Sequence, residues 1–171
     1  MQSAIRNPQS AIVAIGSNLG DSAAQVRSAM QELQQFSPQR LLKSSLWQTT
    51  PVDCPPGSPL FVNAVVGLAP PMSETPETLL SKLRQIEKEF GRQPKQVPNE
   101  PRPLDLDLIA FGNETRATPE LTLPHPRAHL RRFVLQPLNE IAPDLILPGQ
   151  TQTVAQLLAA LPADETMRKV D

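Results

Sequence analysis

At 171 residues, with 39% hydrophobic and 19% charged residues and a formal net charge of −1, the chain has the length and composition of one soluble globular domain, residues 1–171. No apolar run approaches the ~20 residues of a membrane span, and Met1 to Ser10 lacks the apolar centre of a signal peptide, so residues 1–10 are expected to form a poorly ordered extension. The single cysteine, Cys54, excludes an internal disulfide framework and fits a reducing cytoplasm; beside Pro55 and Pro56, with no evident base, it reads as structural or incidental.

Ala11 to Ile15 reads as a buried strand that ends in the turn Gly16-Ser17-Asn18-Leu19-Gly20. A glycine turn opening a helix can bind phosphate through exposed N–H groups. This one matches neither the dinucleotide fingerprint nor the P-loop, so its reading is a tight strand-to-helix turn. A helix from about Asp21 to Gln35 follows, with Val26, Met30 and Leu33 on one face. Leu41 to Thr49 is predicted as a second strand and Thr50 to Pro59 as a proline-rich loop. Phe61 to Leu68 is the third strand. Asn63 is polar within that apolar run, and a buried amide must find hydrogen-bond partners. It either ties the strand to the preceding loop or reads the edge of a heterocycle.

The second helix carries its own signals. Thr75 suits the N-cap, Pro76 the first helical position, and Glu77 the positive end of the dipole. Leu79, Leu83, Ile86 and Phe90 form an apolar stripe, and Gly91 supplies the stop. Arg92 to Pro103 holds four prolines and reads as irregular. A fourth strand follows, giving the order β-α-β-β-α-β. That order is the split βαβ or ferredoxin-like arrangement, an α+β sandwich of an antiparallel sheet with helices packed on it. Beyond it, Arg127 to Asn139 reads as partly helical, and Val154, Leu157, Leu158 and Leu161 as a last short amphipathic helix.

The fourth strand holds the most informative residues. In Arg102-Pro103-Leu104-Asp105-Leu106-Asp107-Leu108, two carboxylates alternate with leucines. Strand side chains alternate faces with period two, so Asp105 and Asp107 share one face and the leucines anchor the other. Like charges held that close are unfavourable unless a cation lies between them, and Mg²⁺ prefers oxygen ligands. The bland alternative is an exposed acidic strand face. Ten of the 16 Lys and Arg residues fall between Lys82 and Arg132, which surrounds the pair with the cations a metal–polyphosphate complex needs. His125, between Pro124 and Pro126 and followed by Arg127, Arg131 and Arg132, reads as a phosphate contact, whereas His129 has no such setting.

Several segments, taken in order, resemble one family, the 6-hydroxymethyl-7,8-dihydropterin pyrophosphokinases of folate biosynthesis. They are Ala14 to Gly20, Phe61 to Ala64, Ile86-Glu87 through Gly91-Arg92, Pro101 to Asp107, Leu123 to Pro126 and Arg131 to Pro143. Each is weak alone and the ordered set is specific. The resemblance implies a ferredoxin-like fold. It also implies transfer of the β,γ-pyrophosphoryl group of ATP to the hydroxymethyl oxygen of the dihydropterin, with release of AMP. It implies that Asp105 and Asp107 ligate two Mg²⁺ ions and that Asp107 accepts the hydroxyl proton. His125 and Arg131 match residues that contact ATP phosphates, and Arg92 and Arg102 match catalytic-loop arginines. Asn63 matches the residue that hydrogen-bonds the pterin, Phe61 and Phe133 the aromatic pair that sandwiches it, and Thr49 and Val52 line the same pocket. Expected partners are ATP and the dihydropterin, with no nucleic acid or membrane and a monomeric state.

Pro98-Asn99-Glu100 stands where the family usually has Arg-Trp-Gly, Pro94 where an arginine is often found, and Arg132 where a small residue is common. These departures predict altered closure of the catalytic loop. They leave a second reading open, a homologue that binds both ligands but turns over poorly. A ferredoxin-like nucleic-acid binder is a third; the absence of tyrosine and of a basic aromatic signature weighs against it.

Overall fold

A computed structural model describes residues 10–50, 56–92, 101–164 and 166–170 of the chain. Val52, Cys54, Pro94, Pro98, Asn99, Glu100 and residues 1–9 of the expected N-terminal extension lie outside the described residues. Ser10 is buried, and its carbonyl accepts the Gly112 N–H at 2.6 Å.

The central sheet is built from β1 (Ala11–Ser17), β2 (Leu42–Lys43), β3 (Leu46–Thr49), β4 (Phe61–Leu68) and β5 (Asp105–Phe111), with a last strand at the C-terminus. β6 (Arg116–Ala117) and β7 (Thr122–Leu123) form a separate two-stranded ladder, and β8 (Arg168–Val170) completes the main sheet. The order across it is β5-β1-β4-β3-β8, and every pairing is antiparallel. With β3 as the second long strand, this is the ferredoxin-like order expected from the sequence.

Two helices cover one face. α1 (Ser22–Gln34) starts where the Asp21 carboxylate accepts the Ala24 N–H at 3.2 Å, and it buries Val26, Ala29, Met30 and Leu33. Their 3, 4, 7 spacing makes a single stripe. α2 (Pro76–Glu89) begins with a reciprocal capping box between Thr75 and Thr78 and buries Leu79, Leu83 and Ile86. These stripes meet Val13 and Ile15 of β1, Ala64 and Val66 of β4, and Leu106 and Leu108 of β5. The other face is also covered. α3 (Arg132–Ile141) and α4 (Val154–Ala160) pack Val134, Leu135, Leu138, Val154 and Leu157 over Ile12, Val65 and Ile109. The C-terminal helices thus close a third layer over part of the sheet and leave its far end open.

Leu41 to Thr49, predicted as one strand, is broken into β2 and β3 by Ser44 and Ser45. The Ser44 hydroxyl, at 2.9 Å, accepts the Val65 N–H that a continuous ladder would use, and Ser45 N–H turns to the Glu140 carboxylate at 3.1 Å. Local serine hydrogen bonds compete with the sheet ladder here and win.

β5 is an edge strand with a bulge: Val13 pairs with Leu108 and Ile12 with Ala110, so Ile109 is the extra residue. Its carbonyl accepts the His125 N–H at 2.8 Å. The described residues contain no helix long and apolar enough to cross a membrane.

Candidate functional site

The open end of the sheet, on the α3 side, floors a cavity of about 420 Å³. Sequence and register dictate its floor. On β1, Gly16 pairs with Asn63 of β4 on one side and with Asp105 of β5 on the other. One step along, Ala14 pairs with Asp107. Asp105 and Asp107 therefore project from the face opposite their leucines, as period two requires. Thr49 pairs with Phe61, and its hydroxyl accepts a hydrogen bond from the Asn63 amide at 2.7 Å. Of the residues singled out from the sequence, Thr49, Phe61, Asn63, Arg102, Asp105, Asp107, Arg131 and Phe133 all line this one cavity. Arg92 and His125 do not line it, although both act on it electrostatically.

The carboxylates experience different surroundings. Asp105 Oδ1 receives Arg92 Nη1 at 2.5 Å, and Arg102 Nη1 lies 3.7 Å from its other oxygen. Asp107 has no ion pair at such distances among the described residues. Burial first, and repulsion from Asp105 second, push its carboxyl up to about 6 from 3.8. Opposite stands an excess of cations. Arg131 is pushed below its ordinary value by burial and then by Arg127. His125 is pushed down to about 4 by burial, then by Arg131 and Arg127, so its imidazole is neutral at pH 7. Its Nδ1 accepts the Arg127 N–H at 3.2 Å, which leaves the ring proton on Nε2. The cavity thus holds one carboxylate, Asp107, with no close cation, beside Arg127 and Arg131, which have no close carboxylate among the described residues.

Each candidate stacking ring already carries a cation. The Arg102 guanidinium lies 5.5 Å from the Phe61 centroid, and that of Arg131 lies 5.3 Å from the Phe133 centroid. Arg102 Nε is buried without a hydrogen-bond partner among the described residues.

Three supporting residues were not singled out as site residues by the sequence. Glu87 of α2 is 4% exposed, and its Oε2 accepts both Arg92 Nη1 at 2.7 Å and the Leu106 N–H at 2.8 Å. Arg84 Nη1 bonds Glu87 Oε1 at 2.9 Å and the Leu106 carbonyl at 3.0 Å. β5 has no strand on that side among the described residues, so this ion pair satisfies the edge groups of the residue lying between the two aspartates. Asn18 is the second. Its backbone N–H reaches the Arg102 carbonyl at 3.1 Å and its Oδ1 takes the Arg102 N–H at 2.9 Å, tying the turn after β1 to the approach to β5. A polar residue in a glycine turn was a visible signal; that it bridges to Arg102 was not.

Gly16 is the third. A Cβ there would lie 3.0 Å from Asn63 Oδ1 and 3.7 Å from the Phe61 ring. Gly16→Ala is expected to displace the Asn63 amide and to destabilise the protein by about 1–3 kcal/mol. Thermal denaturation checks this: an unchanged melting temperature would mean that the floor has room for a methyl group.

Among the described residues no group of three or more His, Cys, Asp and Glu side chains is assembled for a metal ion. Two carboxylates on one strand still fit Mg²⁺, which is commonly held by one or two carboxylates together with substrate phosphates and water.

An α+β sandwich that opens a carboxylate pair onto a cation-rimmed cavity defines a class able to receive a metal–polyphosphate. The family model of 7,8-dihydro-6-hydroxymethylpterin-pyrophosphokinase (HPPK) matches residues 12–143. The chain is 38% identical over 162 residues to the 2-amino-4-hydroxy-6-hydroxymethyldihydropteridine pyrophosphokinase of Haemophilus influenzae, covering 94% of this chain and 98% of that one. Against the Pseudomonas aeruginosa protein of the same name it is 38% identical over 155 residues, covering 90% and 93%. The chain belongs to the HPPK family. A solved Plasmodium falciparum HPPK-DHPS triple mutant with SDX-DHP shares the fold, with a TM-score of 0.73 and 13% identity. The match covers 99% of this chain and 47% of that chain, so this chain spans under half of that structure's length.

Proposed function

We propose that this chain transfers the β,γ-pyrophosphoryl group of ATP to the hydroxymethyl group of 6-hydroxymethyl-7,8-dihydropterin, giving the pterin diphosphate and AMP. The observation that carries the reading is a carboxylate without a close cation and a guanidinium without a close carboxylate in one cavity. Asp107 is pushed up by burial and Asp105, while Arg131 is pushed down by burial and Arg127. A Mg²⁺–triphosphate complex relieves both at once.

In this reading Asp105 and Asp107 hold the Mg²⁺ ions. When bound, these neutralise charge on the transferring phosphoryl groups. Arg102, Arg131 and His125 Nε2–H receive phosphate oxygens, and Arg102 Nε, without a partner among the described residues, is a donor available to one of them. Arg92, held by Glu87 and Asp105, stays close to the nucleotide side. Phe61 and Phe133 stack the flat pterin, and Asn63, oriented by Thr49, reads its edge. Val52 belongs to the same proposal from the sequence alone. The hydroxymethyl oxygen attacks the β-phosphorus, the bond to the α-phosphoryl oxygen breaks, and AMP leaves. The proton of the hydroxyl passes to Asp107, which faces the cavity beside Asp105. Cytoplasmic location and a monomeric state belong to the same proposal.

The test is conversion of ATP to AMP with and without the dihydropterin. AMP is expected only with pterin and Mg²⁺ present, and chelation with EDTA should stop it. Pterin-independent AMP, or undiminished rates in EDTA, would refute the reading.

A further inference from the structure

The cavity is bordered by residues from the far C-terminus. Asp164 and Met167 line it together with Thr49, Asn63 and Phe133. Both residues lie between α4 and β8, and nothing in their spacing marks them as site residues.

The structure holds Met167 there by three separate devices. On the side before it, Arg132 of α3 grips the backbone: Nε and Nη2 donate to the Pro162 carbonyl at 3.1 and 2.7 Å, and Nη2 donates to the Leu161 carbonyl at 3.1 Å. Asp164 closes a turn, with its Oδ1 accepting both the Thr166 N–H at 2.9 Å and the Thr166 hydroxyl at 2.6 Å. On the side after it, β8 pairs with β3, Gln48 against Arg168 and Trp47 against Lys169. Lys169 Nζ lies 5.5 Å from the Trp47 ring centroid and 3.7 Å from Glu140, which itself accepts the Trp47 Nε1–H at 2.7 Å. Continuing that antiparallel register by one residue sets Met167 beside Thr49, the residue that orients Asn63. Arg132 stands immediately before Phe133 and after Arg131, so one helix start carries a cavity cation, the pin and a cavity ring.

We propose that Met167 is a specificity-determining residue of the heterocycle subsite, held against the bound pterin by Arg132 and by the pairing of β8 with β3. The proposal rests on the pyrophosphokinase reading. A thioether is polarizable and conformationally adaptable, so it covers the face or edge of a flat heterocycle without demanding one hydrogen-bonding pattern. Its chemistry selects for shape at the pterin and is silent toward the nucleotide. The subsite would therefore be completed by chain that follows the last residue matched by the family model, position 143.

The wild-type AMP assay tests the reaction, and equilibrium binding tests this residue independently of turnover. Calorimetric titration of the full chain is made with 6-hydroxymethyl-7,8-dihydropterin in the presence of Mg²⁺ and a non-hydrolysable ATP analogue, and with the analogue alone. For Met167→Ala the pterin Kd is expected to rise about tenfold, the scale of a few lost apolar contacts in a pocket. The Kd for the nucleotide analogue should stay within a factor of two. Met167→Leu should restore most of the pterin affinity, and Arg132→Met, which keeps an apolar stem but cannot hold the two carbonyls, should weaken the pterin in the same selective way. A dihydropterin bearing extra methyl groups on its reduced ring should lose less affinity on Met167→Ala than the parent does. An unchanged pterin Kd in Met167→Ala, or an equal loss for pterin and nucleotide, would overturn the proposal. If the wild type binds pterin but forms no AMP, the reaction reading fails while the comparison of variants still decides the role of Met167.

Discussion

Asp107→Asn is expected to reduce pterin-dependent AMP formation by about a thousandfold or more, while raising the melting temperature of the ligand-free protein at pH 7.5. The loss follows from removing an anionic metal ligand: charge stabilisation by a bound metal amounts to several kcal/mol, and each 1.4 kcal/mol or so is a factor of ten. The gain in stability follows from linkage. Burial and Asp105 raise the Asp107 carboxyl in the fold to about 6, above the ordinary 3.8 of an exposed aspartate. The folded protein thus holds this proton more tightly than the unfolded chain does. That contribution to stability is fully present below pH 3.8 and is lost as pH rises through about 6. The wild type at pH 7.5 therefore carries an unrelieved carboxylate that the asparagine variant lacks. A difference of a few degrees is expected at pH 7.5, shrinking toward pH 4, where both side chains are neutral. Saturating Mg²⁺ and ATP should shrink it as well, by stabilising only the wild type. Differential scanning calorimetry across pH checks both parts. A variant less stable than the wild type at pH 7.5 would contradict the account of the strain at this site.

Glu87→Ala should show the largest effect on stability, about 3–5 kcal/mol, as expected for breaking a buried ion pair from one side. For a chain of this length that lowers the melting temperature by roughly 10 °C. The carboxylate serves three groups at once: Arg92 Nη1, Arg84 Nη1 and the Leu106 N–H. Its removal leaves a buried backbone donor unpaired and frees Arg92, which also bonds Asp105 and the Leu104 carbonyl. Glu87→Gln keeps an acceptor for Leu106 but weakens both ion pairs, so its loss should be intermediate. Urea denaturation measures all three proteins, and a cost below about 1 kcal/mol for the alanine would show that water replaces the carboxylate.

The elements with strong local signals were readable from sequence. α2 was written out by Thr75, Pro76 and its 3.6-residue stripe, and β5 by leucines alternating with carboxylates. The cavity floor was readable too, because period-two geometry alone put Asp105 and Asp107 on one face. What escaped depends on contacts between distant segments. β8 is three residues, two of them charged, and exists only because β3 offers it an edge. The break at Ser44 and Ser45 needs Val65 and Glu140, which lie about 20 and 95 positions away in sequence. Gly16 looked like a turn residue because its function, the absence of a Cβ next to Asn63, is visible only once β1 and β4 are in register. Arg92 was associated with the site by the family resemblance and His125 by its proline-and-arginine setting, and neither lines the cavity in this structure.

The bulge at Ile109 divides β5 into two halves with opposite phase. Upstream, Leu106 and Leu108 enter the layer beneath α1 and α2 while the aspartates face the cavity; downstream, Ala110 enters the α3 layer and Phe111 the α1–α2 layer. One strand therefore obeys two reading frames, one set by the chemistry and one by the core. Deleting Ile109 would merge the two frames: Ala110 and Phe111 would then follow Asp107 and Leu108 in plain alternation, each still on its own face. What the deletion removes is the Ile109 side chain from the α3 layer and the carbonyl that anchors the His125 N–H. The extra residue therefore serves the turn that carries His125 and not the placement of the aspartates.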